Sequence, residues 1–134
     1  MSDTQSDFPR ILVIDDDPNL LLLLEKMLTR IDTLPTLLDS GTKGWELLQT
    51  ETFDLMILDL MLPDVDGYEI LERIRKQSEF DELPVLILSA LADPETISKG
   101  LELGADGYLT KPYLPNTLTS RVKALLERGR RKAE

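Results

Sequence analysis

The sequence predicts an α/β domain whose open, parallel, five-stranded sheet is doubly wound with five helices. Two observations predict it. Short aliphatic runs alternate with stretches of helical periodicity, the pattern of strand–helix–strand crossovers. The intervening loops are short, so successive crossovers pack into one sheet. At 134 residues the chain is long enough for one such domain and too short for two of ordinary size.

Each element has its own signal. Ile11–Ile14 is an aliphatic run that fits a buried parallel strand. Pro18 opens the first helix with Asp17 as N-cap, and Leu20, Leu23, Leu24, Met27, Leu28 and Ile31 keep helical spacing. Residues 34–38 (LPTLL) read as a second strand, and Pro35 places it at a sheet edge, where a missing N–H does no harm. Residues 41–50 form a helix with Trp45 and Leu48 on its apolar side, and residues 53–58 form the third strand. The turn-rich LPDVDG leads into a helix over residues 67–77, with Asp64 and Asp66 as turn and cap residues of that loop. Residues 84–88 give the fourth strand. Asp93-Pro94 then repeats the cap-and-proline signal and opens a helix to Leu103. Residues 104–110 carry a short fifth strand, and residues 115–128 a last amphipathic helix. The domain is expected to span residues 10–128, with frayed tails at residues 1–9 and 129–134.

Composition narrows the chemistry. Fifteen Lys and Arg against 25 Asp and Glu give a net charge of -10, which repels nucleic acid and anionic membrane surfaces and suits metal cations. The basic end RGRRKAE is read most simply as a solvated tail. With no Cys and no His, the chain has no disulfide, thiolate or imidazole metal ligand, and no Ser-His-Asp catalysis. No apolar run approaches a membrane span, and a cytoplasmic location is expected.

The residues that follow the strands carry the functional signal. The first strand ends in Asp15-Asp16, the third in Asp59 and the fourth in Ser89, and the fifth leads to Lys111. In a parallel sheet these ends share the carboxyl edge, where ligands bind. Clustered carboxylates without His or Cys suit a hard divalent cation, Mg²⁺ above all. A carboxylate beside such a cation and a Lys ammonium can attack a phosphoryl group and become an aspartyl phosphate, with Ser89 donating a hydrogen bond. The glycine-rich phosphate cradle of nucleotide-binding folds is absent.

ILVIDDDPN, LMILDLMLPDVDGYEIL, LPVLILSALAD and GLELGADGYLTKPY, in this order and spacing, resemble the receiver domain of bacterial two-component response regulators. The resemblance covers residues 10–128. It implies a flavodoxin-like fold with strand order 2-1-3-4-5, and a signalling switch that catalyses only its own phosphorylation and slow dephosphorylation. By this resemblance Asp59 is the phosphoacceptor, and Lys111 and Ser89 act on the phosphoryl group. Asp15, Asp16, Asp59 and the Met61 backbone carbonyl hold Mg²⁺, with Mn²⁺ as a second candidate. Ser89 and Tyr108 form the switch, and Lys111-Pro112 resembles a bond that is often cis. The implied partners are a sensor histidine kinase or phosphotransfer protein and a downstream output domain or protein. Neither direct nucleic-acid binding nor membrane binding is implied.

The output would be a population shift around the fourth helix, fifth strand and fifth helix. Lys99, Asp106 and Arg121 resemble part of the salt-bridge set of a phosphorylation-dependent homodimer, although Gly107 stands where an acid is common. Apolar Met61 and Leu91, each two residues past a site residue, imply slow self-dephosphorylation. Two competing functions are a haloacid dehalogenase-type phosphohydrolase with Asp15 as nucleophile, and a pseudo-receiver that only binds. Pro18-Asn19 does not continue the hydrolase motif, and the complete Asp15, Asp16, Asp59, Ser89 and Lys111 set argues against the pseudo-receiver.

Overall fold

A computed structural model describes residues 8–129. The chain runs β1 (Arg10–Ile14), α1 (Pro18–Arg30), β2 (Leu34–Leu38), α2 (Gly41–Leu48), β3 (Leu55–Leu58), α3 (Gly67–Lys76), a 3-10 turn (Ser78–Phe80), β4 (Val85–Ser89), α4 (Pro94–Glu102), β5 (Gly107–Thr110) and α5 (Pro115–Arg128). The strands form one parallel sheet in the order β2-β1-β3-β4-β5, as the family resemblance implied. The expected tails fall mostly at residues 1–7 and 130–134, outside the described residues.

Because β1, β3 and β4 are covered on both faces, their side chains are buried almost without interruption. Alternate residues feed two cores. Leu12, Ile14, Met56, Leu58, Val85 and Ile87 pack with α3 residues Ile70, Leu71 and Ile74. Ile11, Val13, Leu55, Ile57, Leu86 and Leu88 pack with Leu24 and Leu28 of α1 and Leu118 and Val122 of α5. Edge strand β2 is only partly covered, in keeping with Pro35.

Several helix starts follow the sequence signals. Asp17 accepts from the Asn19 and Leu20 amides ahead of Pro18, and Asp93 accepts from the Thr96 amide ahead of Pro94. Asp66 accepts from the Tyr68 amide at the start of α3.

The element ends differ from expectation for local reasons. β3 begins at Leu55 because Asp54 engages Arg10 through its side chain as well as its amide. β5 begins at Gly107 because residues 103–105 are occupied in closing α4, their amides bonded to Lys99, Leu101 and Gly100 carbonyls. α2 stops at Leu48, where the Gln49 and Thr50 amides tighten to i−3 carbonyls. Asp64 is a correction: it belongs to the loop before α3 but caps α2. Its carboxylate accepts from the Ser40 hydroxyl at 2.8 Å, the Gly41 amide at 3.1 Å and the Thr42 amide at 3.0 Å.

Candidate functional site

Three parallel strands deliver the site. β1 hands over Asp15 and Asp16, β3 hands over Asp59, and β5 leads into Lys111. Backbone bonds fix their heights: the Asp15 amide donates to Leu38, the Asp59 amide to Ile14, and the Lys111 amide to Ser89. Asp15 and Asp59 are buried, at 2% and 4% exposure, whereas Asp16 faces solvent. One oxygen from each of the three carboxylates lies within 4.8 Å of the others.

Lys111 reconciles two of these acids with burial. Its Nζ lies 2.7 Å from Asp15 Oδ2 and 3.3 Å from Asp59 Oδ2. The remaining oxygens are also engaged: Asp15 Oδ1 accepts the Asp17 amide at 2.9 Å, and Asp59 Oδ1 accepts the Met61 amide at 3.1 Å. Burial pushes the Asp59 carboxyl up from its usual value, against the pull of the Met61 amide and Lys111, and neighbouring Asp15 adds to the rise. Burial would lower the Lys111 ammonium, but the Asp15 hydrogen bond and the two negative charges outweigh it, so its pKa is raised.

Gly67 lets α3 start against this floor. A Cβ there would lie 2.6 Å from Leu60 Cα and 2.7 Å from the Asp59 carbonyl oxygen. The Met61 side chain is 55% exposed, and its backbone bridges to Asp66 in an antiparallel pair.

Ser89 and Tyr108 meet at one residue of the β4–α4 loop, Leu91. Fully buried Ser89 accepts the Leu91 amide at 3.2 Å through Oγ, and Tyr108 donates its hydroxyl to the Leu91 carbonyl at 2.6 Å. The Lys111-Pro112 bond is cis.

The three residues named for the dimer face each have a partner within the chain. The Asp106 carboxylate faces inward, bonding Arg75 at 3.0 Å and the Val85 amide at 2.9 Å. Lys99 lies over the Tyr68 ring, 4.4 Å from its centroid, and Arg121 donates to the Tyr108 carbonyl at 3.5 Å.

The sequence reading missed Tyr68. Its hydroxyl donates to the Thr96 carbonyl of α4 at 2.9 Å. A tyrosine one residue into a helix gives no signal that its partner lies 28 residues on.

The model of the response regulator receiver domain matches residues 11–123. The chain belongs to the response regulator receiver domain family. This receiver domain is 42% identical over 120 residues to the transcriptional regulatory protein CusR of Escherichia coli, covering 90% of this chain and 52% of that one. It is 40% identical over 125 residues to the transcriptional regulatory protein AfsQ1 of Streptomyces coelicolor, covering 93% and 54%. The chain thus spans about half the length of these curated relatives.

Among solved structures, the BeF3-activated receiver domain of DrrB, from Thermotoga maritima, superposes with a TM-score of 0.80 at 38% identity, covering 90% of this chain and 99% of that one. The fold is flavodoxin-like, and the receiver domain is a signalling switch rather than a classical enzyme. The haloacid dehalogenase alternative is not supported. Among the described residues, no helix is long and apolar enough to cross a membrane.

Proposed function

We propose that this receiver domain takes a phosphoryl group onto Asp59 from a phosphohistidine on a partner sensor kinase or phosphotransfer protein. The observation that carries the reading is the Asp59 carboxylate itself. It is buried at a strand end, oriented by the Met61 amide and Lys111, with two further carboxylates alongside. An Asp59 oxygen attacks phosphorus as the bond to the donor nitrogen breaks. The imidazole, already protonated on its other ring nitrogen, leaves with the bonding pair as the neutral ring. The Lys111 ammonium, already beside Asp59, pairs with the oxygens of the transferred group. Ser89 supplies a hydroxyl to them, and Tyr108 moves with it.

The donor set fits a divalent metal. All its ligand atoms are oxygens, and the three carboxylates exceed the one ammonium that, among the described residues, pairs with them. Asp15, Asp16, Asp59 and the Met61 carbonyl would hold Mg²⁺ or Mn²⁺, which when bound supplies positive charge to the transferring phosphoryl oxygens. The functional unit is residues 10–128, acting in the cytoplasm on an output domain or protein. The curated relatives are transcriptional regulatory proteins, so the output in this reading is control of transcription.

Intact mass after treatment with a small phosphodonor and Mg²⁺ tests the reading. Wild type gains one phosphate and Asp59→Asn gains none. An equal gain in the variant overturns it.

A further inference from the structure

Helix α4 is held unlike the other four. α1 buries Leu24, Met27 and Leu28; α2 buries Leu48; α3 buries Ile70, Leu71 and Ile74; and α5 buries Leu118, Val122 and Leu125. In α4 the sole buried residue is Gly100. A Cβ there would lie 2.8 Å from Ile87 Cδ1, so backbone rather than side chain seats this helix on the sheet. Thr96 and Ile97 are only partly covered, and Leu101 is 46% exposed. Apolar burial scales with the area removed from water, so α4 gains little of the stabilisation that fixes its neighbours.

Polar contacts from two tyrosines bear on this segment instead. Tyr108, from β5, bonds the Leu91 carbonyl just ahead of α4. Tyr68, from the first turn of α3, bonds the Thr96 carbonyl within α4, and Lys99, one turn further on, covers its ring. Tyr68 follows Gly67, whose backbone lies against Asp59. One side chain therefore links the floor of the acidic site to the most weakly seated helix.

We infer that Tyr68 is a positioning residue for α4, and that its hydroxyl and ring set the balance between the two arrangements of the α4 surface. The inference rests on the phosphorylation reading above and names a regulator within it. The Thr96 carbonyl is an intrahelical acceptor as well, so the Tyr68 hydroxyl can leave it without orphaning a backbone group. Such a bond restrains α4 without locking it. A ligand at Asp59 shifts α4 only through a difference in free energy between the two arrangements, and a bond present in one of them enters that difference directly.

The test is Tyr68→Phe, which removes the hydroxyl and keeps the ring beneath Lys99. Amide hydrogen exchange is followed across α4, with α1 and α5 as internal controls, and the Kd for beryllofluoride with Mg²⁺ is measured on the same variant. The expected result is several-fold faster exchange at the α4 amides, unchanged exchange in α1 and α5, and a Kd altered at least about threefold, which corresponds to a coupling of at least about 0.65 kcal/mol. Lys99→Met should reproduce the α4 effect in weaker form. Exchange that rises equally in all helices, or an unchanged α4, overturns the inference, as does an unaltered Kd. If wild type itself fails to bind beryllofluoride, the phosphorylation reading falls first. If wild type binds and Tyr68→Phe is indistinguishable from it, the tether alone falls.

Discussion

At the site, individual side chains divide the work according to burial. Asp15 and Asp59 are withdrawn from water and share one ammonium, while Asp16 stays in solvent at the mouth. That division separates residues that the sequence presents as a run of equal acids. Met61 also sits at the mouth, its amide on Asp59 and its apolar side chain exposed. A thioether arm neither orients nor activates a water, so Met61→Asn is expected to shorten the phosphoryl lifetime several-fold, followed by loss of the phosphate mass with time. A lifetime that stays the same or lengthens counts against this role. The nearness of Asp15, Asp59 and Lys111 was legible because each stands at the end of a strand signal, and the parallel topology alone brings those ends to one edge. Tyr68 and the inward turn of Asp106 were not legible, because their partners are chosen by packing between elements rather than by local spacing.

Among the elements, strand cores and helix starts could be read from local chemistry, and element ends could not. Asp17, Asp66 and Asp93 cap their own helices within three residues, so the signal and its partner travel together. Asp64 reaches across to α2 instead, and its partners lie 22 to 24 residues away. The Thr42 amide, with the Ser40 hydroxyl and Gly41 amide, holds its carboxyl well below the usual carboxylate range. A depressed folded-state pKa contributes stability that is present above the unfolded value of 3.8 and lost as pH falls below it. Asp64→Ala should therefore melt a few degrees below wild type at neutral pH. That gap should narrow in melting curves taken down to about pH 3. A gap independent of pH would remove the charge from the explanation and leave only the lost cap.

Taken whole, the molecule carries a net charge of -10, and the same excess that suits a cation works against compactness. Raising NaCl from about 20 to about 200 mM should lift the melting temperature by screening this repulsion. Mg²⁺ at matched ionic strength should lift it further, by about 2.7 kcal/mol of stability at a hundredfold excess over its Kd, and EDTA should reverse that increment. An Mg²⁺ effect no larger than that of NaCl would mean that the acidic cluster holds no specific ion. The fold class was legible at this scale because alternation and short loops leave few topologies open, whereas the strand order came from the family resemblance and not from periodicity.

The Lys111 contact with Asp15 also bears on how the chain comes together in time. The partners stand 96 residues apart, on strands separated in the sheet by β3 and β4. As the chain leaves the ribosome, Asp15 and Asp59 are both made before the amine that neutralises them, and β5 is the last strand to join. Every strand pairing is parallel, so none can close by a hairpin while synthesis proceeds. A nascent chain that buries Asp15 and Asp59 before β5 brings Lys111 therefore does so against the repulsion of two unpaired carboxylates.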